Sequence, residues 1–287
     1  MCRLFALSSG DVRVHATYWL LDAPDSMEVE SRRNVDGSGL GWFDADGRPV
    51  VDKQPEPAYR DPDFVRDAVE ADSTTFVGHV RWATTGVRSV ENTHPFTMKG
   101  RVMAHNGGFG DLALLEAELG DAMSGVLGGT DSERYFALIT RETARHGGDV
   151  AAGIASAAGW IAEHCPVSSL NTVVAVDGEL WALRYPATHA LHVLERPAGP
   201  GAAAAAQGVP GLVARSGTSQ VHAPALHEVP SVVIASERLD GEDGWRMVGA
   251  GDLLHVARDL TVTTTTVLPD PPARTIGLPA DNPNDDS

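Results

Sequence analysis

Cysteine is scarce in this sequence, since its 287 residues include only Cys2 and Cys165. Two cysteines are too few for a disulfide framework, and such scarcity is typical of proteins from a reducing compartment. The sequence also lacks an apolar run long enough to span a membrane, and it shows no signal peptide. We therefore expect a cytoplasmic protein without membrane contacts.

Basic residues are also few. Lys and Arg number 22 against 39 Asp and Glu, which gives a formal net charge of -17. Phosphate recognition needs clustered basic side chains, so this charge disfavours nucleic acid and anionic membrane surfaces as partners. We expect a small molecule or another protein instead.

Common metal and nucleotide motifs are missing as well. The sequence has no HExxH, CxxC or GxxxxGK[ST] segment, and its eleven histidines are scattered rather than paired at ligand spacing. Zinc centres and phosphate-binding loops usually carry such signatures. We predict neither a metal site nor a cofactor.

The apolar pattern that remains indicates a layered α+β fold. Strand-like and helical patterns alternate at first, then come two long helical patterns and a strand-rich half, an order that disfavours a doubly wound parallel sheet. We assign a single domain to residues 2–268. Composition predicts a flexible insertion at 197–211 and a disordered, acidic, Pro-rich tail at 269–287.

The first candidate for chemistry is Cys2, in the opening MCRLFALSSG. If Met1 is removed, this residue carries a thiol and a free α-amine, with ordinary pKa values of about 8.5 and about 8. The amine can then serve as the base that activates the thiol. The alternative is a cysteine that lies by chance in front of a first strand.

Two further segments contain candidate binding groups. In GHVRWATTG, Arg81 ends an apolar run beside Trp82 and Thr84, and its planar fork of donors suits a carboxylate. In AHNGGFGD, Asn106 and the Gly107 N–H can stabilise an oxyanion. The alternatives are a structural arginine and an ordinary Asn-Gly turn.

A fourth candidate is Asp131, in GGTDSERYF, at the start of the strongest helical pattern. It can cap that helix, or it can bind a substrate ammonium group. Together, Arg81 for a carboxylate and Asp131 for an ammonium would recognise the zwitterionic end of an amino acid.

The order of these motifs resembles the class II glutamine amidotransferases, which are N-terminal-nucleophile hydrolases. The resemblance covers roughly residues 2 to 265 and is carried by MCR, RRNVDGSGLGWF, HVRWATTG, ENTHPF, AHNGGF and TDSE, an ordered set of motifs. The late segment VVIASERLDGEDGW is similar to the stand-alone branch, which includes γ-glutamyl hydrolases of ergothioneine biosynthesis and glutathione degradation.

The resemblance implies a four-layer αββα sandwich and a role for each candidate. Cys2 becomes the nucleophile, its freed amine the general base, and Asn106 with Gly107 the oxyanion hole. The implied substrate-binding residues are Arg81, Trp82, Thr84 and Asp131. Asn92 and His94 are assigned to positioning.

Three functions remain open at this point. The first is a stand-alone hydrolase of a γ-glutamyl metabolite, which we favour because of the ASE segment and because the sequence leaves no room for a synthase domain. The second is a glutaminase subunit that supplies ammonia to a separate synthase, and the third is an inactive binding module. Thr85 replaces the His of the amino-sugar enzymes, which argues against coupling to a second active site. The oligomeric state stays open, with a second copy of the chain or a synthase as the candidate protein partner.

Overall fold

Two seven-stranded sheets form the centre of the computed structural model, which describes residues 2–83, 87–197 and 229–277. Strands are numbered in chain order. The first sheet runs in the order β11 (Arg246–Met247), β9 (His192–Arg196), β10 (Ser231–Ala235), β1 (Arg3–Ser8), β4 (Thr75–Arg81), β2 (Gly37–Phe43) and β3 (Pro49–Gln54). All of its strand pairs are antiparallel.

The second sheet is also antiparallel, apart from one short strand. It runs in the order β13 (Val262–Thr266), β12 (Asp252–Val256), β8 (Glu179–Leu183), β7 (Pro166–Val176), β6 (Arg101–Phe109) and β5 (Phe96–Met98). The exception, β14 (Arg274–Thr275), pairs in parallel with the start of β7.

Helices lie on the outer face of each sheet. The first sheet is covered by α1 (Met27–Glu30), α2 (Pro62–Glu70), a π-helical turn (Tyr18–Asp22) and a 3-10 turn (Ala58–Arg60). The second is covered by α3 (Leu112–Leu119), a 3-10 turn (Gly120–Gly125), α4 (Asp131–Arg145) and α5 (Val150–His164). Within the described ranges, no helix is long and apolar enough to cross a membrane.

Local sequence signals account for where helix α2 starts. The Asp61 side chain accepts a hydrogen bond from the Asp63 N–H over 3.0 Å, and Pro62 occupies the first helical position. A capping aspartate satisfies a backbone N–H that has no partner within the helix. Proline at the first helical position costs no hydrogen bond, because its missing N–H would be unpaired there, and its fixed φ angle suits a helix. Helix α2 therefore starts at Pro62, directly after its cap.

Three apolar layers separate these elements and explain the run LFAL in β1. Phe5 and Leu7 pack beneath the helices of the first sheet, whereas Leu4 and Ala6 face the second sheet. Successive side chains of a strand point to opposite faces, so a strand buried on both faces reads as continuously apolar. The structure confirms the predicted four-layer αββα sandwich.

The predicted disordered tail needs a correction. Arg274 and Thr275 pair with β7, and the Ala273 N–H donates to the Ala162 carbonyl over 2.9 Å. Tyr185 also donates its hydroxyl to the Asp270 carbonyl over 3.0 Å. Backbone pairing on an open strand end orders this segment despite its proline content. Residues 278–287 lie outside the described part, as does the predicted insertion after residue 197.

Candidate active site

The thiol of Cys2 lies against the backbone of Trp82. Cys2 directly precedes β1, and β1 pairs with β4 so that Arg3 is opposite Val80. The Trp82 N–H donates to Cys2 Sγ over 3.2 Å, and Sγ lies 3.3 Å from the Trp82 carbonyl oxygen. Antiparallel pairing therefore brings the start of the chain to the end of β4.

The surroundings of the thiol act on its pKa in opposite directions. Burial raises the pKa of Cys2, because a thiolate loses hydration there. The Trp82 N–H, the chain's amino terminus and the charges of Arg81 and Arg3 all lower it. Burial dominates, so the thiol needs a base to become nucleophilic.

Arg81 is the last residue of β4 and points into the space between the sheets. Its neighbours at alternate positions, Val77 and His79, share that side, and Arg81 is only 4% exposed. Burial lowers the pKa of Arg81, whereas negative charge at Cys2, Asp36 and Asp131 raises it. The guanidinium thus lies within electrostatic reach of two other predicted site residues.

Asn106 and Gly107 lie within β6, opposite Asn171 and Leu170 of β7. The interpretation of this Asn-Gly pair as a turn is therefore wrong. The Asn106 side-chain amide donates to the Cys2 carbonyl over 2.9 Å, which links the second sheet to the residue before β1. This contact brings the predicted oxyanion donor to the predicted nucleophile.

Gly107 cannot be replaced without displacing the neighbouring strand. Its φ angle is +155°, and a Cβ atom at this position would lie 2.1 Å from the Ser169 carbonyl oxygen. The next residue, Gly108, precedes an irregularity in the register with β7. Glycine therefore allows the close approach of β6 and β7 at the site.

Asp131 is buried at the first position of α4, but it is not the cap. The cap is Thr130, whose hydroxyl accepts from the Glu133 N–H over 3.2 Å. The Asp131 Oδ2 atom accepts from the Phe109 N–H over 3.2 Å, so the carboxylate docks two residues beyond Gly107. Capping therefore does not account for Asp131, and its role in ammonium binding stays a prediction.

The segment before β5 is fixed to the loop that leads into α4. The Asn92 side chain donates to the Val87 carbonyl over 3.0 Å and accepts from the Gly129 N–H over 2.7 Å. The His94 ring packs on His79, with ring centroids 4.2 Å apart. These contacts suit the predicted positioning roles of Asn92 and His94.

The structure thus brings together six of the predicted site residues, from both sheets and from α4. They are Cys2, Arg81, Trp82, Asn106, Gly107 and Asp131. The seventh, Thr84, lies outside the described residues.

Sequence reasoning missed an ionic cluster beneath Cys2. Arg3 Nε lies 2.8 Å from Glu30 of α1, and Arg3 Nη2 lies 2.9 Å from Glu237. Ser236 exchanges hydrogen bonds with the Leu4 backbone, each of 3.0 Å. The ASE segment therefore anchors the strand behind the thiol. The MCR and ASE motifs contain Arg3 and Glu237, but neither motif indicates that the two segments contact each other.

Comparison with known proteins identifies the family of this chain. Residues 1–275 match the family described as glutamine amidotransferases class-II. A stretch of 124 residues is 31% identical to the probable glutamine amidotransferase DUG3 of Saccharomyces cerevisiae, covering 39% of this chain and 35% of the yeast protein.

Solved structures share the fold. A glutamine aminotransferase class-II domain protein from Silicibacter pomeroyi superposes with a TM-score of 0.61 at 20% identity, over 92% of this chain and 99% of that chain. Glutamine phosphoribosylpyrophosphate amidotransferase from Bacillus subtilis gives 0.59 at 16% identity, over 94% of this chain and 50% of its own. At these identities the likeness shows the fold alone.

Proposed function

This chain belongs to the class II glutamine amidotransferase family, and from that membership we propose that it hydrolyses γ-glutamyl amides through a thioester on Cys2. The observation that supports the proposal is the contact of Cys2 with Asn106 and Trp82, beside Arg81. Nucleophile, oxyanion donor and carboxylate anchor are the groups that acyl transfer from a γ-glutamyl amide requires.

The reaction begins once removal of Met1 turns the Cys2 nitrogen into a free amine. The amine takes the thiol proton, and Sγ attacks the γ-carbonyl carbon of the substrate. The Asn106 side-chain amide and the Gly107 N–H donate to the resulting oxyanion. When the C–N bond breaks, the protonated α-amine of Cys2 returns its proton to the departing amine.

The second half of the reaction releases glutamate. Water, deprotonated by the Cys2 amine, attacks the γ-glutamyl thioester, and the same oxyanion donors stabilise the second tetrahedral intermediate. The C–S bond then breaks, and the proton returns to the thiolate. The enzyme is regenerated with its thiol and amine.

The amino-acid end of the substrate is held by opposite charges. The Arg81 guanidinium binds the α-carboxylate, and the Asp131 carboxylate binds the α-ammonium. Trp82 and Thr84 complete the proposed set of substrate-binding residues. The Asp131 charge also raises the pKa of Arg81, so the two groups lie within electrostatic reach. A substrate without either charged group would be a poor one.

We further propose that the enzyme acts alone on a γ-glutamyl metabolite in the cytoplasm. The feature that favours this function is the ASE segment, typical of the stand-alone branch, whose Ser236 and Glu237 contact the strand that follows Cys2. The amine attached to the γ-carbonyl distinguishes such a substrate from glutamine.

Intact mass spectrometry tests the mechanism. Protein translated from Met1 is treated with a diazo-ketone analogue of glutamine, alongside the C2A and C165S variants. We expect loss of Met1 and one adduct in the wild type and in C165S, because Cys165 is fully buried and should not react. We expect no adduct in C2A. Retained Met1 without an adduct at Cys2 would overturn the mechanism.

Kinetics separate the functions. Glutamate release is measured with glutamine and with a panel of γ-glutamyl amines, and we expect a higher kcat/KM for at least one conjugate. Turnover of glutamine only after a synthase is added, with conjugates ignored, would identify a glutaminase subunit. A processed protein that is alkylated but hydrolyses no member of the panel would indicate a binding module.

A further inference from the structure

Asp36 holds the chain on both sides of Trp82. It precedes β2, whose ladder with β4 ends at the pair Gly37 and Arg81. Beyond that pair, the Asp36 N–H donates to the Arg81 carbonyl over 3.0 Å, and the Asp36 Oδ2 atom accepts from the Ala83 N–H over 2.8 Å. The Asp36 carboxylate thereby accepts a hydrogen bond from Ala83, which follows β4 and has no partner of its own among the described strands.

The residue between these two contacts is the one that touches the thiol. Trp82 presents its N–H to Cys2 Sγ at 3.2 Å and its carbonyl oxygen at 3.3 Å. Both groups belong to peptide units that Asp36 fixes, one through Arg81 and one through Ala83. Movement of Asp36 would therefore displace both of the polar groups described next to the sulfur.

The carboxylate itself is held in place. Its Oδ1 atom lies 3.3 Å from Arg88 Nε, and its side chain is 17% exposed, whereas that of Arg88 is 51% exposed. Arg88 also donates to the Val35 carbonyl, immediately before Asp36. One carboxylate oxygen thus accepts from the Ala83 N–H, and the other pairs with Arg88. Because the two contacts use different oxygens, the ion pair can orient the carboxylate without competing for the Ala83 hydrogen bond.

We propose that Asp36 is a positioning residue for the nucleophile, whose carboxylate holds the Trp82 and Ala83 backbone against Cys2 Sγ. Its described hydrogen bonds and ion pair go to Ala83, Arg81 and Arg88, and it acts on the thiol through the Trp82 peptide groups. The inference rests on the proposed function only in taking Cys2 as the nucleophile. It adds a residue from the turn before β2 to the site.

Variants of Asp36 test this role. D36A removes the acceptor for the Ala83 N–H, D36N retains a neutral acceptor, and R88Q removes the ion pair while leaving Asp36 in place. D44A is the matched control, because Asp44 also accepts backbone N–H bonds, from Asp46 and Arg48 at 2.9 Å, but in the β2–β3 hairpin. Should D36A not fold, D36S, with a shorter polar side chain, replaces it.

The first readout is alkylation of Cys2 by iodoacetamide as a function of pH, followed by peptide mapping. In D36A the midpoint of the pH–rate curve moves up by about 0.5 to 1 pH unit, because the thiolate loses the Trp82 donor. D36N and R88Q shift it less than D36A does, and D44A behaves as the wild type. Arg81 and Arg3, the charged side chains near the thiol, are unchanged in every variant.

The second readout is steady-state hydrolysis. D36A lowers kcat about 10- to 100-fold through misplacement of the nucleophile, with KM within about 3-fold, and D36N restores most of kcat. A folded D36A with wild-type kcat and a wild-type alkylation curve would overturn the proposal, as would an R88Q variant equal to D36A in both. If no γ-glutamyl substrate is hydrolysed by the wild type, the proposed function fails, while the alkylation curves still decide the role of Asp36.

Discussion

The side-chain amide of Asn106 donates a 2.9 Å hydrogen bond to the main-chain carbonyl of Cys2, although 104 positions separate the two residues in the chain. Asn106 belongs to the second sheet, and Cys2 leads into a strand of the first. The bond therefore exists only because the two sheets stack face to face. It also orients the amide toward the residue that carries the thiol.

Removal of this amide should impair turnover rather than binding. We expect N106A to lower kcat about 100- to 1000-fold, as loss of an oxyanion donor does in other acyl-transfer enzymes. KM should change little, because the lost interaction forms with charge that develops in the transition state. Steady-state glutamate release measures both constants, with thermal unfolding as the check on folding. A raised KM at unchanged kcat would assign Asn106 to ground-state binding instead.

Gly107 should not tolerate alanine, whereas a helical glycine should. G107A places a Cβ atom 2.1 Å from the Ser169 carbonyl oxygen at a φ of +155°, so we expect a loss of more than about 2 kcal/mol in the free energy of unfolding. The control is G159A in α5, where the nearest atom is 3.8 Å away and alanine should stabilise the helix by about 0.5 to 1 kcal/mol. Urea unfolding compares the two variants. Equal stabilities would contradict the close approach of β6 to β7.

Thr130 and Asp131 should separate into a structural and a functional residue. T130A removes the cap of α4 and should cost about 1 kcal/mol of stability. D131N keeps a side-chain oxygen that can accept from the Phe109 N–H, so its stability should stay close to that of the wild type. Its KM for a γ-glutamyl substrate should rise at least about 10-fold, because the charge that pairs with the ammonium is gone. Calorimetry and kinetics on both variants check this division, and an unaltered KM in D131N would remove Asp131 from the binding site.

The buried histidines should make stability depend on pH. Burial lowers the pKa of His79 to about 3, and it also lowers that of His94, which packs on it. Below an unfolded pKa of about 6.5 the unfolded chain binds a proton that the folded chain does not, so stability is lost as the pH falls from about 6.5 toward 3.

A variant without the titrating ring isolates this effect. Between pH 6.5 and 5, H79Q should show a slope of unfolding free energy against pH that is smaller than that of the wild type by about 1 kcal/mol per pH unit. Denaturant unfolding at several pH values measures the slope, whatever the absolute stability of the variant. Parallel curves would show that His79 binds its proton equally in the folded and unfolded states.

Much of the local structure could be read from the sequence. The buried strand β1, the hairpin of β2 and β3, and the helices that start after Asp61 and Thr130 all follow from short-range patterns of apolar residues and caps. The order of motifs also predicted the site residues that the structure brings together. These signals are local because propensity, capping and side-chain alternation depend on neighbours within a few positions.

The sequence by itself determined the fold class, the family and the kinds of groups in the site. Only the tertiary structure decided that Asn106 and Gly107 lie within a strand rather than in a turn, and that residues 270–276 pack on the second sheet. It alone joined Asp36 to Ala83, and Arg3 to Glu237. The physical reason is that these contacts connect residues brought together by strand pairing and sheet stacking, and no pattern within one segment specifies the partner in another.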